Sequence, residues 1–443
     1  MEGIARVDDT HRFKKTVLAY AIPQMGHINP VLRLCGALAS RGHNVYFATS
    51  VALEGGLANA CSSLGFRFLG LEDGRSLQLL KTTDFSTGPH FKNFAHEHTP
   101  LILQIAEQIS PDFMLADFVS IAANACAKAR RIPLVVNMAL SAFVLQRMLR
   151  AGAAASLFIR LVSPGDADAV DFIANTILPA TKAAFVVVND CKALGASQSL
   201  APNFFLSGSL DTLEKRQLQE DKHGDLIAWL GDARAAAKPL FYITTGSIME
   251  LSESQVRALY EGFAAAGVWV MWSLKKERHA FLPAELPPNF FIRAWMPQVE
   301  ILSLEDLAGV LTHCGWGGSL ECMAAGKPVI CYPGFGDQTM NAELLHKQGC
   351  GPWLSPSRAT ARQITAAVRD VVDNLDRYKS KVRVISEGML RAPGPSGTAK
   401  MIEQVMEEGP LLAHLVQGTP YHLQSEETAP SSAEGWSWLS NWR

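Results

Sequence analysis

The sequence has no apolar run long enough to cross a membrane. Its longest, such as Phe263–Trp272, fall well short of the roughly 20 residues a spanning helix needs. It has no excess of either charge: 40 Lys+Arg against 42 Asp+Glu leave a formal net charge of −2. Nothing global therefore draws it to nucleic acid or to an anionic membrane surface. It has no CxxC pair, and its eight cysteines, at 35, 61, 126, 191, 314, 322, 331 and 350, suit neither a zinc site nor a disulfide framework. They read as reduced, buried thiols. The first fifteen residues, MEGIARVDDTHRFKK, are charged and lack an apolar core, so they are no secretory signal. With 48% hydrophobic and only 19% charged residues, the chain is too apolar to be disordered. The expectation is a cytoplasmic enzyme or binding protein, a monomer or weak dimer.

What is present is alternation. A length of 443 residues suits two domains of about 200 residues each. Thr16–Ala21 is a short buried-strand run, Pro23–Pro30 breaks it, Val31–Ser40 has helical spacing, and Asn44–Thr49 is strand again. That βαβ unit implies a parallel sheet. Strand runs follow at Phe66–Leu71, Phe113–Ala116, Leu134–Asn137 and Ala184–Asn189, with a helix at Ile121–Ala129. Asp211–Asp225 is polar and charge-rich without an apolar period, and reads as a linker. The alternation then restarts from Leu240–Thr244 and runs to Met340–Gln348, with terminal helices at Ile364–Asn374 and Gly397–Glu408. Two such halves predict an α/β fold of two facing, doubly wound Rossmann-like domains, with ligand at the strand C-terminal ends in the cleft between them. After Gly418 the chain is Ser/Glu/Thr/Pro-rich and reads as a disordered tail carrying Trp436, Trp438 and Trp442, for which no physical account suggests itself.

The chemistry concentrates in Trp295–Gln338. Gly309–Thr312 predicts a strand, His313–Gly318 a Gly-rich turn, and Ser319–Ala325 a helix. Such a turn aims free backbone N–H groups and the positive helix end at an anion. His313 at the strand exit can donate to a phosphate oxygen, and Gly315, Gly317 and Gly318 let the backbone approach a ligand closely. The turn is not GxGxxG and has no Walker lysine, which weakens dinucleotide and ATP readings. Glu321, expected on the helix's first turn, can accept from two vicinal hydroxyls, and Trp295 can stack on a base.

This block resembles the signature box of family 1 UDP-sugar glycosyltransferases, W-x-P-Q…T-H-C-G-W-N-S…E…G-x-P…P…[DE]-Q. The box has 44 positions, and Trp295–Gln338 holds that register from end to end. Trp295, Pro297, Gln298, His313, Cys314, Gly315, Trp316, Glu321, Gly326, Pro328, Pro333, Asp337 and Gln338 all fall in place. The resemblance implies that Trp295 stacks on uracil, Gln298 contacts the ribose and Glu321 holds its hydroxyls. It implies that His313 with the Gly315–Gly318 turn holds the diphosphate, and that Trp316, Asp337 and Gln338 meet the transferred sugar, with glucose-type choices at Trp316 and Gln338. Thr244 and Ser247, in ITTGS, resemble the family's second phosphate contact. Two departures stand out. The family's Asn-Ser is Gly317-Gly318 here, so backbone N–H groups or Ser319 must replace two side-chain contacts, and the family's His before the central strand is Leu304.

The resemblance also implies a base. The family carries a catalytic His in a P-x-x-G-H-x-x-P loop after its first strand, where His27 stands, and an Asp in a V-A-D-x-F-like strand end, where FMLADF supplies Asp117. The chemistry fits the pair. An acceptor hydroxyl is too weakly acidic to attack unaided, an imidazole titrating near ~6.5 is a suitable base, and a carboxylate orients it. His43 and His96 read as surface or capping residues. Phe85, Phe91, Phe94, Phe143, Met148 and Phe158 read as core more readily than as an acceptor pocket. The family implies a GT-B enzyme with an acceptor-binding domain at 1–215, a UDP-sugar-binding domain at 216–396, and a terminal helix and tail at 397–443. The expected activity is inverting transfer of a hexose, glucose first, to a hydroxyl of a small hydrophobic acceptor, with no metal and no cofactor beyond the UDP-sugar. A nucleotide-sugar epimerase or hydrolase, and an inert UDP-sugar-binding protein, stay open beside it.

Overall fold

The structure is a computed structural model that describes residues 14–74, 89–149, 178–195, 200–211, 215–246 and 249–408. The chain divides into two compact units. The first comprises the described residues up to Asp190, those of the segment ending at Asp211, and the helix that follows Pro393; the second takes Cys191–Gly195 and those between Lys215 and Ala392.

The first unit is built on a seven-stranded parallel sheet in the order β3-β2-β1-β4-β5-β6-β7. Its strands are β1 (Thr16–Tyr20), β2 (Asn44–Ser50), β3 (Arg67–Leu71), β4 (Phe113–Asp117), β5 (Leu134–Met138), β6 (Phe185–Val188) and β7 (Phe204–Leu206). The central strands β4, β5 and β6 are buried along their whole length and mostly apolar, as parallel strands covered on both faces must be, with Asp117 and Asn137 as polar exceptions, whereas edge strand β3 (RFLGL) buries only Leu71 fully. Helices α1 (Met25–Ser40), α2 (Glu54–Ser63), α3 (Pro89–Ile109) and α4 (Ile121–Arg130) alternate with the strands.

The second unit holds a five-stranded parallel sheet, order β10-β9-β8-β11-β12, from β8 (Leu240–Thr244), β9 (Trp269–Ser273), β10 (Phe290–Arg293), β11 (Leu307–Thr312) and β12 (Val329–Cys331). Its helices are α5 (Glu220–Ala235), α6 (Glu253–Ala266), α7 (Gln298–Leu302), α8 (Trp316–Ala324), α9 (Gln338–Lys347), α10 (Ala361–Asp373) and α11 (Leu375–Leu390). Helices α6 and α10 both open on capping boxes, Ser252 with Gln255 and Thr360 with Gln363. They cross at Gly262, where a Cβ would lie 2.6 Å from Ile364 Cγ2, and Thr365 Oγ1 donates to the Gly262 carbonyl at 2.9 Å.

The terminal helix α12 (Gly394–Glu408) packs in the first unit, where Ala399, Ile402 and Val405 join the core of Val31, Leu34 and Leu38. A polar clasp reinforces it. Arg41 Nε donates to Glu403 Oε1 at 2.8 Å, and His43 Nε2 meets the same oxygen at 2.7 Å. The Lys15 backbone N–H donates to His43 Nδ1 at 3.1 Å, so Nδ1 is an acceptor and the ring hydrogen sits on Nε2. His43 is therefore not a surface residue; it is buried and ties two strand ends to the terminal helix. His96 is exposed.

Several elements differ from the expectation. Helix α1 begins at Met25 and takes in most of the Pro23–Pro30 segment, because Pro30 near a helix start removes only one backbone bond. Helix α5 starts inside the polar stretch read as a linker. Helices α2, α3 and α11 and the three-residue strand β7 were not expected. Among the aromatic positions, Phe94 and Met148 are buried and Phe143 lies half-buried under Arg147. Phe85, the side chain of Phe91, Phe158 and the tail with Trp436, Trp438 and Trp442 lie outside the described residues. Among those described, no helix is long and apolar enough to cross a membrane.

Candidate functional site

In the first unit the site starts from strand adjacency. Strands β1 and β4 are neighbours, with Tyr20 opposite Ala116. The turn leaving β1 and the last residue of β4 therefore emerge side by side. His27 is the third residue of α1, and its Nδ1 lies 2.8 Å from Asp117 Oδ1. Asp117 is fully buried, and its second oxygen accepts the Val119 N–H at 3.2 Å. The Phe118 ring packs 5.5 Å from the imidazole. A carboxylate on Nδ1 selects the tautomer whose lone pair sits on Nε2, the arrangement of a general base with its orienter.

Beside this pair lie two buried polar pairs that sequence reasoning missed. The Tyr20 hydroxyl meets His98 Nδ1 at 2.8 Å, and Ser50 Oγ donates to Asp73 Oδ1 at 2.8 Å. Burial, and then the fields of Asp117 and Asp73, hold the Tyr20 phenol far above its ordinary range.

In the second unit β8 and β11 are neighbours with Thr244 opposite Thr312, so the turns after them meet. His313 lies between them. A Cβ at Gly246, itself at φ +69°, would come within 2.5 Å of His313 Nε2, and one at Gly315 would meet the same atom. Only glycines leave room for that imidazole. Its Nδ1 is buried with no hydrogen-bond partner among the described residues, and burial pulls its pKa down to about 4. The ring is neutral at pH 7.

Helix α8 begins at Trp316, with Gly315 as an N-cap that makes no side-chain cap bond. Its opening N–H groups have no partner within the helix. Glu321 consequently sits on the second turn rather than the first, and Gln298 Nε2 donates to Glu321 Oε2. Trp295 is 70% exposed just beyond β10, while Trp316 is buried. Gly317 is exposed, and Ser319 is buried with Oγ unpartnered among the described residues. Thr244 is buried at the end of β8, and Ser247 lies outside the described residues.

Asp337 is the N-cap of α9 and Gln338 its first residue. The Gln338 side-chain oxygen accepts the Gly334 and Phe335 N–H groups at 2.9 and 3.2 Å, so it shapes its own turn. Asn341, beyond the end of the box and unremarked in the sequence, donates to Asp337 Oδ2 at 2.8 Å.

Residues 174–389 match the family model described as UDP-glucoronosyl and UDP-glucosyl transferase. Among curated proteins the chain is similar to UDP-glycosyltransferase 85A1 of Arabidopsis thaliana, 26% identical over 52% of this chain and 51% of that one. It is similar to an anthocyanidin 3-O-glucosyltransferase of Zea mays, 32% identical over 41% of this chain and 39% of that one. The match thus spans about half the first relative and less of the second. UDP glycosyltransferase 9 of Catharanthus roseus is 23% identical over 81% of this chain and 88% of its own. Among solved structures, Medicago truncatula UGT71G1 complexed with UDP-glucose superposes with a TM-score of 0.71 at 19% identity, covering 89% of this chain and 98% of that one. At that identity the likeness shows the fold alone, two Rossmann-like units of the GT-B type.

Proposed function

We infer that this chain, whose residues 174–389 match the UDP-glucoronosyl and UDP-glucosyl transferase family model, transfers a hexose from a UDP-sugar to a hydroxyl of a small hydrophobic acceptor. The observation that carries the reading is the His27–Asp117 pair at 2.8 Å, a base and its orienter in a chain whose other unit carries the 44-residue box.

The reaction follows from the groups. His27 Nε2 takes the acceptor proton while Asp117 stabilises the imidazolium. The acceptor oxygen bonds to the sugar C1 from the side opposite UDP as the C1–phosphate oxygen bond breaks, which inverts the configuration. The opening N–H groups of α8 and the neutral His313 ring are suited to take the charge that grows on the departing diphosphate. With that charge held by protein groups, EDTA should leave most activity intact. Trp295 is available to stack on the base, the joined Gln298–Glu321 pair to take the ribose, and Asp337 and the Gln338 amide nitrogen to take the sugar. Glucose is the expected hexose, on the family's choices at Trp316 and Gln338.

The test is a panel of phenolic, terpenoid, sterol and lipid acceptors with UDP-glucose, UDP-galactose or UDP-glucuronate, read by mass spectrometry. A conjugate formed fastest from UDP-glucose, with slow UDP release when acceptor is absent, is the expected result. Sugar interconversion without transfer, or no UDP-glucose turnover at all, would overturn it.

A further inference from the structure

Asn341 lies three residues past the box, on the first turn of α9, and is fully buried. Its side-chain nitrogen has two acceptors: the Cys314 carbonyl at 3.0 Å and Asp337 Oδ2 at 2.8 Å. Its backbone N–H donates to the Asp337 carbonyl at 2.9 Å.

Each partner is unusual. Cys314 is a non-glycine residue at φ +62°, a left-handed conformation that an L side chain resists. In a trans peptide the carbonyl of one residue and the N–H of the next point opposite ways. Tying the Cys314 carbonyl to Asn341 therefore turns the Gly315 N–H away from α9, at the N-cap of α8. Asp337 precedes α9 with a helical backbone, φ −66° and ψ −17°, which does not aim its carboxylate at the N–H groups of its own helix. It makes no cap bond, and Asn341 donates to its carboxylate. One amide group thus sets both a backbone donor beside His313 and a carboxylate 23 residues further on.

We propose that Asn341 is a positioning residue that orients two donor subsites at once, the diphosphate turn through Cys314 and the sugar carboxylate of Asp337. The proposal rests on reading residues 295–338 as the UDP-sugar site.

Titration calorimetry on the full chain, with UDP and with UDP-glucose in the absence of acceptor, separates the two arms. Asn341→Ala should weaken UDP by about tenfold or more, and UDP-glucose by a larger factor. Asp337→Ala should weaken UDP-glucose while leaving UDP within about twofold. In the Asp337→Ala background, Asn341→Ala should then cost UDP and UDP-glucose the same factor. Asn341→Asp keeps the volume, loses the donors and repels Asp337, so it shifts both affinities in the same direction and serves if the alanine variant does not fold. A purely structural asparagine would lower the melting temperature and leave the ratio of the two affinities unchanged. Folded variants with wild-type UDP affinity and an unchanged ratio overturn the proposal alone. A wild-type chain that binds neither ligand overturns the donor-site reading beneath it.

Discussion

Two histidines divide the work by environment. His27 is half-buried on a helix start with a buried carboxylate against Nδ1, so its other nitrogen is set to take a proton. His27→Ala should lower turnover by about 10²–10⁴ while UDP affinity stays near wild type, because the base acts in the chemical step. Asp117→Asn should be slowed by a comparable or smaller factor. Steady-state kinetics beside UDP calorimetry check both, and wild-type turnover in His27→Ala would remove it from the mechanism. His313 is the opposite case, with burial depressing its pKa from the usual 6.5 to about 4. The folded chain therefore binds fewer protons than the unfolded chain in that window. The site's contribution to stability is complete above about pH 6.5 and is lost as pH falls towards about 4. A bound diphosphate favours the charged ring. Binding of UDP-glucose, whose diester phosphates do not titrate there, should take up a proton in that range. Calorimetry in two buffers of different ionisation enthalpy measures the uptake, and an equal uptake by His313→Gln would assign it elsewhere.

At the scale of elements, helix starts and helix crossings carry the argument. Gly317 and Gly318 occupy the first turn of α8, and Pro30 an early turn of α1. The glycines fall where the N–H groups still lack intrahelical partners, whereas Pro30, the sixth residue of α1, gives up one backbone bond. That is why both helices begin earlier than their apolar periods suggest, and why Glu321 moves to the second turn. Gly262 shows the converse. In an exposed helix interior Gly→Ala stabilises by about 1 kcal/mol. Here the added Cβ meets Ile364 Cγ2 at 2.6 Å and the Ala361 carbonyl at 3.0 Å. Overpacking of this kind costs about 1–3 kcal/mol, so Gly262→Ala should lower stability on balance. Urea unfolding decides, since a gain in midpoint would mean that α6 and α10 can move apart at no cost.

At the scale of the whole molecule, the chain's last described helix returns to its first unit. Ile402 is fully buried against the α1 side of the seven-stranded sheet, with Glu403 clasped by Arg41 and His43. Ile402→Ala should destabilise the chain by about 2–5 kcal/mol through the cavity it leaves. The folded variant should bind UDP as wild type does, because the box lies in the other unit. Thermal melting with and without UDP tests both statements. A variant with a wild-type melting temperature would show that the helix contributes little to that core.

The strands were legible because parallel strands covered on both faces are short continuous apolar runs, a signal contained in five or six adjacent residues. The box was legible as a strand, a glycine turn and a helix for the same local reason. Helix α2, with two glycines in EGGLANACSS, carries no such local signal and owes its form to what it packs against, whereas the charge-rich helix α11 does carry one, in Tyr378, Val382, Ile385 and Met389 at helical spacing. What the linear chain determined by itself was therefore the alternation of elements and the register of Trp295–Gln338. Contacts across long separations were decided only by which strands became neighbours. The β1–β4 pairing joins His27 to Asp117 across 90 residues, β8–β11 sets Gly246 against His313, and α9 beside the β11 turn brings Asn341 to Cys314 across 27. Propensity and periodicity act over a few residues, so they place a side chain on an element but cannot say which other element will face it.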